Sequence, residues 1–98
     1  MMEIVQSATF ARWLAGLRDA RARVLVLTRL DRLATGNPGD VKPVGDGISE
    51  MRITHGPGYR LYYLQDGKVI AVMLCGGDKS TQRRDIAKAK SLAKEWRG

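Results

Sequence analysis

Glu50, Arg52, Arg60, Tyr62 and Lys79 are the residues whose types and spacing suit chemistry. Glu50 and Arg52 are two positions apart, and so are Arg60 and Tyr62, so an extended chain points each pair to one face. Arginine grips a phosphate through two parallel hydrogen bonds and keeps its charge. Guanidinium groups placed this way stabilise the pentavalent phosphorane of RNA cleavage. A neighbouring carboxylate can take the proton from a ribose 2′-hydroxyl, and a tyrosine ring can stack a base. That chemistry requires no metal and no cofactor, and it yields a 2′,3′-cyclic phosphate and a 5′-hydroxyl. Glu50 and Arg52 also read as members of cross-strand salt bridges. Both readings stand on residue types alone.

The stretch from Gly47 to Gln82 must position these groups. It reads as three strands, with Gly56-Pro57-Gly58 and Asp66-Gly67 marking the turns. Met51 and Ile53 oppose Glu50 and Arg52 on the first of these strands. Leu61 and Tyr63 oppose Arg60, Tyr62 and Leu64 on the next. With the apolar sets turned toward helices, Glu50, Arg52, Arg60 and Tyr62 are expected on an uncovered sheet face. The strand Val69 to Leu74 is apolar on both faces and therefore central.

Upstream, Glu3-Ile4-Val5 reads as a short strand. Thr9 is the expected cap of a helix carrying Phe10, Trp13, Leu14 and Leu17 on one face. Asp19 caps a second helix, with Ala20, Val24, Leu27, Leu30 and Ala34 as its expected buried stripe and Leu33 beside it. Gly36-Asn37-Pro38-Gly39 ends that helix. The two helices should form a hairpin on the sheet. Gly36 to Gly47 reads as a loop, with Lys42 able to reach a phosphate. Downstream, Ser80 or Thr81 caps a last helix whose narrow stripe is Ile86, Ala89, Ala93 and Trp96.

The length of 98 residues fits one domain spanning 1–98. Seventeen Lys and Arg against ten Asp and Glu give a net charge of +7. The last third holds eight basic residues against three acidic ones, so most of the excess is there. Polyanion binding is one reading of such a patch and a solvated basic helix is the other. Gln82, Arg83 and Arg84 are the expected RNA contacts of that region, with Lys42 and Tyr62 elsewhere. Cys75 is the single cysteine, which excludes an internal disulfide and a metal-ligand cluster built on thiolates. The first ten residues lack the apolar core of a signal peptide, and no run is long enough to span a bilayer, so a cytoplasmic protein is expected. Gly76-Gly77-Asp78-Lys79-Ser80 lacks Walker A spacing. His55 sits at a turn, where exposure and a direct role are both open.

Three segments form an ordered set: Gly47-Ile48-Ser49-Glu50-Met51-Arg52-Ile53, Gly56-Pro57-Gly58-Tyr59-Arg60-Leu61-Tyr62-Tyr63, and Gly76-Gly77-Asp78-Lys79-Ser80-Thr81-Gln82 with Asp85-Ile86. With Phe10, Trp13 and the break at Gly36-Asn37-Pro38-Gly39-Asp40, this set resembles the phage-derived, HigB-like "addiction module killer" branch of the RelE/ParE toxin superfamily. The resemblance covers nearly the whole chain. It implies an α+β fold in the order β-α-α-β-β-β-α, with a small antiparallel-dominated sheet and an N-terminal helical hairpin on one face. It also implies a type II toxin that cuts mRNA on the ribosome and is neutralised by a cognate antitoxin, commonly a helix-turn-helix protein. Glu50, Arg52, Arg60 and Lys79 match the family's catalytic positions. Many RelE-type enzymes also carry a histidine or tyrosine near the C-terminus, whereas this chain ends Glu95-Trp96-Arg97-Gly98. A ParE-like gyrase inhibitor without nuclease activity is the alternative within the same superfamily, and an inactive basic RNA-binding module is a third reading.

Overall fold

The computed structural model describes residues 1–98. The chain runs β1 (Glu3–Gln6), α1 (Ala8–Ala15), α2 (Ala20–Ala34), β2 (Val41–Gly45), β3 (Ile48–Ile53), β4 (Tyr59–Asp66), β5 (Ile70–Asp78), a 3₁₀ turn (Lys79–Thr81) and α3 (Gln82–Arg97). The five strands form one sheet in the order β1-β5-β4-β3-β2. β1 runs parallel to β5, and the other neighbours are antiparallel. The result is α+β with a mostly antiparallel sheet, as expected, but with one strand more than the sequence suggested. The extra strand is β2, inside the stretch read as a loop. Pro43 disguises it, because proline cannot donate to a ladder; an edge strand tolerates that loss. Asp46 (φ 56°) and Gly47 (φ 76°) both lie in the left-handed region, which is the backbone of a tight two-residue hairpin turn.

Ser7, not Thr9, caps α1. Its Oγ accepts from the Phe10 N–H at 3.0 Å and donates to the Leu74 carbonyl at 2.6 Å, so the cap also ties the helix to β5. Asp19 caps α2 as expected, accepting from the Arg21 and Ala22 N–H groups at 3.0 and 3.2 Å. The helix ends where Gly36 turns left-handed at φ 92°. There Gly36 N–H reaches Leu33 O and Asn37 N–H reaches Arg32 O, both at 2.9 Å, which satisfies the last carbonyls. The buried stripe of α2 is Ala22, Val26, Leu30 and Leu33. The expected stripe is therefore rotated: Val24 and Leu27 are 61% and 48% exposed. This helix carries apolar residues on two faces, and periodicity alone does not choose between them.

The sheet has a core on each side. Phe10, Val26, Leu30 and Leu33 pack on Met51, Ile53, Leu61, Tyr63, Ala71 and Met73. Trp13 lies over Gly76, where a Cβ would overlap its ring. On the opposite side, Ala89 and Ala93 of α3 cover Ile48, Tyr62, Leu64, Val72, Leu74 and Cys75. The face expected to be open is thus partly roofed. Alanines let a helix approach a sheet closely, so a stripe that looks thin in sequence still seals a core. β5 continues past Leu74 to Asp78, with a register shift opposite Tyr62 and Tyr63 that turns Leu74 and Cys75 into the same core. At the far end of α3, Trp96 is 42% exposed and donates to Asp66 Oδ2 at 3.0 Å. Arg97 donates to the Asp46 carbonyl at 2.9 Å. No helix is long and apolar enough to cross a membrane.

Two expectations test this packing. Leu30→Ala should cost about 2–5 kcal/mol in urea denaturation, whereas Leu27→Ala should stay within about 0.5 kcal/mol; equal costs would contradict the assigned stripe. The second concerns Asp19, whose carboxyl is held below its usual 3.8 first by the hydrogen bond with His55 and then by the helix N–H groups. A depressed carboxyl stabilises the fold above its unfolded pKa, and the effect fades as pH falls through the folded value. The melting temperature of the native protein should therefore exceed that of Asp19→Asn above about pH 4, with the gap closing at lower pH. A gap that persists unchanged to pH 2 would rule out this linkage.

Candidate functional site

Strand register lines up the chemistry on the α3 side of the sheet. One cross-strand row runs Lys42, Glu50, Tyr62, Cys75, and the next runs Arg52, Arg60, Gly77. Glu50, Arg52, Arg60 and Tyr62 do share a face, as alternation requires. Lys42 joins them because β2 is a strand. α3 begins over the first row and leaves the second at the boundary with solvent.

Glu50 is fully buried. Its Oε2 accepts from Tyr62 Oη at 3.1 Å and from Gln82 Nε2 at 2.6 Å. Its Oε1 stands 3.8 Å from Arg60 Nε, and neither atom has a hydrogen-bond partner. Burial, and then the charge of Glu50, push the Tyr62 phenol above its ordinary value of 10, so it stays a donor. Tyr62 itself has no exposed surface. Its expected role in stacking a base is not available here, because α3 closes over the ring. Gln82, expected to touch RNA, instead spends its amide on Glu50.

Arg52 and Arg60 are directly opposite across β3 and β4. Like charges in that relation are destabilising. Each is offset by one carboxylate: Arg52 Nη2 lies 3.3 Å from Asp40 Oδ1, and Arg60 faces Glu50. The two side chains are 36% and 13% exposed. Arg60 makes only long contacts of 3.4 Å to the Gly58 and Tyr59 carbonyls. Gly58, at φ +79°, has Arg60 Nη1 and Lys79 Cβ within 3.5 and 3.6 Å of the place a Cβ would occupy. The 3₁₀ turn thus delivers exposed Lys79 beside Arg60. Asp78 caps that turn by accepting from the Ser80 N–H at 2.8 Å, and the Ser80 hydroxyl first, then that N–H, hold its carboxyl below the usual range.

The sequence reading missed three supports. Asp40 is the counter-ion of Arg52. Arg29 donates to the Arg52 carbonyl at 2.6 Å and to Pro38 O at 3.0 Å, fixing the end of β3 to α2. Asp85 is buried, accepts from Thr81 Oγ1 at 2.5 Å, and fills the space that a side chain at Gly77 would need. The Thr81–Asp85 spacing is helical and legible in retrospect; the glycine contact is not. Cys75 donates to the Asp85 carbonyl at 3.4 Å, and burial pushes its thiol up to about 12. His55 is tied to Asp19 at 2.8 Å and stacked on Tyr59, which joins the β3–β4 turn to the helical hairpin. Arg83 and Arg84 are exposed beside a groove of about 440 Å³ that also takes in Ser80 and Thr81. Lys42 is exposed. No three His, Cys, Asp or Glu side chains gather as a metal site.

The arrangement can bind an anion through Arg52, Arg60 and Lys79, with a buried carboxylate behind. Its sequence has relatives. The profile of the family described as "Phage derived protein Gp49-like (DUF891)" matches residues 12–95, which take in every residue of this site. An uncharacterized protein of Haemophilus influenzae is 48% identical over 94 residues, covering 96% of this chain and 95% of that protein. The chain belongs to the phage-derived Gp49-like family.

Proposed function

We propose that the protein is the toxin of a type II toxin–antitoxin system, a ribosome-dependent mRNA endoribonuclease neutralised by a cognate antitoxin. The observation that carries this reading is the pair Arg52 and Arg60, set opposite each other at the solvent boundary with Lys79 alongside. Arg60 serves the fold as the counter-charge of Glu50, but an Arg52 set directly opposite it adds a like-charge repulsion. A bridging phosphate turns the repulsion into attraction. The resemblance to HigB-like killers and the membership of a phage-derived family point the same way.

In the reaction, the ribose 2′-hydroxyl loses its proton, its oxygen attacks phosphorus, and the 5′-oxygen leaves and is protonated. Charge accumulates on the non-bridging oxygens, where Arg52, Arg60 and Lys79 would meet it. Glu50 holds Arg60 by its charge, and Tyr62 and Gln82 hold Glu50. A carboxylate with no exposed surface is better placed to position the arginine than to take the substrate's proton. This revises its expected role as the base. Arg52 lines a groove of about 320 Å³ with Arg32 and Asp40, and Lys79 is exposed, so a phosphate can reach both from solvent.

Primer extension on a defined mRNA tests the proposal, with and without translating ribosomes. Cleavage only with ribosomes, at codon-spaced positions, is expected. Cleavage of naked RNA would remove ribosome dependence. No cleavage by folded, antitoxin-free protein would sink the nuclease reading and direct attention to DNA gyrase. Removing Arg60 outright strips a buried carboxylate of its cation, so Arg60→Lys and Arg52→Ala are the cleaner variants. Each should lose roughly 10²–10³-fold in cleavage rate with little change in melting temperature. For Glu50→Gln, a positioning role predicts a lower rate with the shape of the pH profile unchanged; loss of its acidic limb would restore Glu50 as the base.

A further inference from the structure

Burial of Glu50 leaves the 2′-hydroxyl proton without an acceptor beside the arginine pair. Two other acids near the row are already committed. Asp85 is buried and accepts from Thr81 Oγ1. Asp78 lies opposite Tyr59, so strand parity turns it toward the helical hairpin, and it accepts from the Ser80 N–H and hydroxyl. Asp40 is different. Its carbonyl accepts from the Arg52 N–H at 3.0 Å, which extends the cross-strand row to Asp40, Arg52, Arg60 and Gly77. Its side chain is 57% exposed, and its ion pair with Arg52 Nη2 engages Oδ1 alone, at 3.3 Å. The chain that presents Asp40 is fastened from α2. Arg29 donates to the Arg52 carbonyl at 2.6 Å, to Pro38 O at 3.0 Å and, more weakly, to Asp40 O at 3.4 Å. Gly39, at φ +73°, admits that guanidinium so closely that a Cβ there would stand 2.9 Å from Arg29 Nη2. One arginine thus fixes both the backbone of the carboxylate and the backbone of the arginine it faces.

We propose that Asp40 is the general base of the cleavage reaction and that Arg29 is the residue that positions it. The inference rests on the nuclease reading above. A guanidinium offers five N–H groups in one plane. Arg52 turns one edge to Asp40 and keeps other donors for a phosphate. The attacking 2′-oxygen belongs to the ribose that carries this phosphate on its 3′-oxygen. A carboxylate touching the same guanidinium is therefore within reach of that hydroxyl. In the step, the 2′-proton passes to Asp40 Oδ2 as the O2′–P bond forms. The P–O5′ bond breaks with its electron pair on O5′, which takes a proton from water. Asp40 then returns its own proton to water, and its exposure serves that exchange. A carboxylate that only balances the charge of Arg52 has the same resting geometry, so the test separates proton transfer from charge.

The test is single-turnover primer extension on translating ribosomes, comparing the whole native protein with Asp40→Ala. The variant should lose about 10²–10⁴-fold in cleavage rate and keep its melting temperature. On the ribosome it should bind a message carrying a 2′-deoxy nucleotide at the cleaved position as tightly as the native protein does. Added imidazole should restore part of the lost rate, because its neutral form takes a proton yet brings no negative charge to replace a counter-ion. Glu50→Gln should not respond to imidazole. Arg29→Lys should slow the native protein but cost nothing further in the Asp40→Ala background, since a positioning residue has no effect once its target is gone. A further loss there would remove Arg29 from the proposal. In a native protein that cleaves, full activity of Asp40→Ala, a loss that imidazole leaves unrelieved, or a loss matched by weaker binding of the deoxy message would each overturn the assignment of Asp40. Those outcomes leave the nuclease reading standing. Absence of cleavage by the native protein would remove both.

Discussion

The structure turns on one carboxylate kept out of water. An ionised side chain in an apolar interior is tolerated only where donors and a counter-charge surround it. Glu50 has Tyr62 and Gln82 as donors and Arg60 as its cation. Each partner comes from a different element than Glu50 itself, so one charge specifies how three pieces meet. β4 must pair with β3 in the register that sets Tyr62 opposite Glu50. α3 must begin where Gln82 can reach inward. The aspartate–threonine–glycine contact of Asp85, Thr81 and Gly77 then seats the first turn of α3 against β5.

That seating leaves one bond unmade. Glu50 Oε1 and Arg60 Nε face each other at 3.8 Å, each without a partner. A buried pair this close to a full hydrogen bond is not at its most stable geometry. The guanidinium is held by charge rather than locked by contact, and its remaining N–H groups make only long contacts to carbonyls. Such an arginine is oriented and still has donors to give. The same logic holds more loosely at Arg52, whose partner Asp40 is exposed.

Much of this was legible in the sequence, in a particular way. Alternation along β3 and β4 correctly put Glu50, Arg52, Arg60 and Tyr62 on one face, since side-chain parity in a strand is fixed by geometry. What lay over that face was not legible. Ala89 and Ala93 do not announce a core-forming stripe, and the inward reach of Gln82 depends on a contact thirty-two residues away. β2 hid behind Pro43 and its glycines, although Asp46-Gly47 is itself a hairpin signal. On α2 two apolar stripes compete, Val24 and Leu27 against Val26 and Leu33, and only the tertiary fold decides which is inside. Propensity placed the helix; packing chose its rotation.

The parallel pairing of β1 with β5 has a kinetic meaning. Glu3 lies beside Ile70, and Met2 N–H bonds Ala34 O at 2.7 Å, so the first residues are stitched into the sheet by partners that come much later in the chain. Contacts so distant in sequence slow folding, because a large loop must close before they contribute. The roof over Glu50 comes later still, with α3. Because Gln82 opens the last element of the chain, Glu50 gains its second donor and its cover only when residues 82–97 are in place.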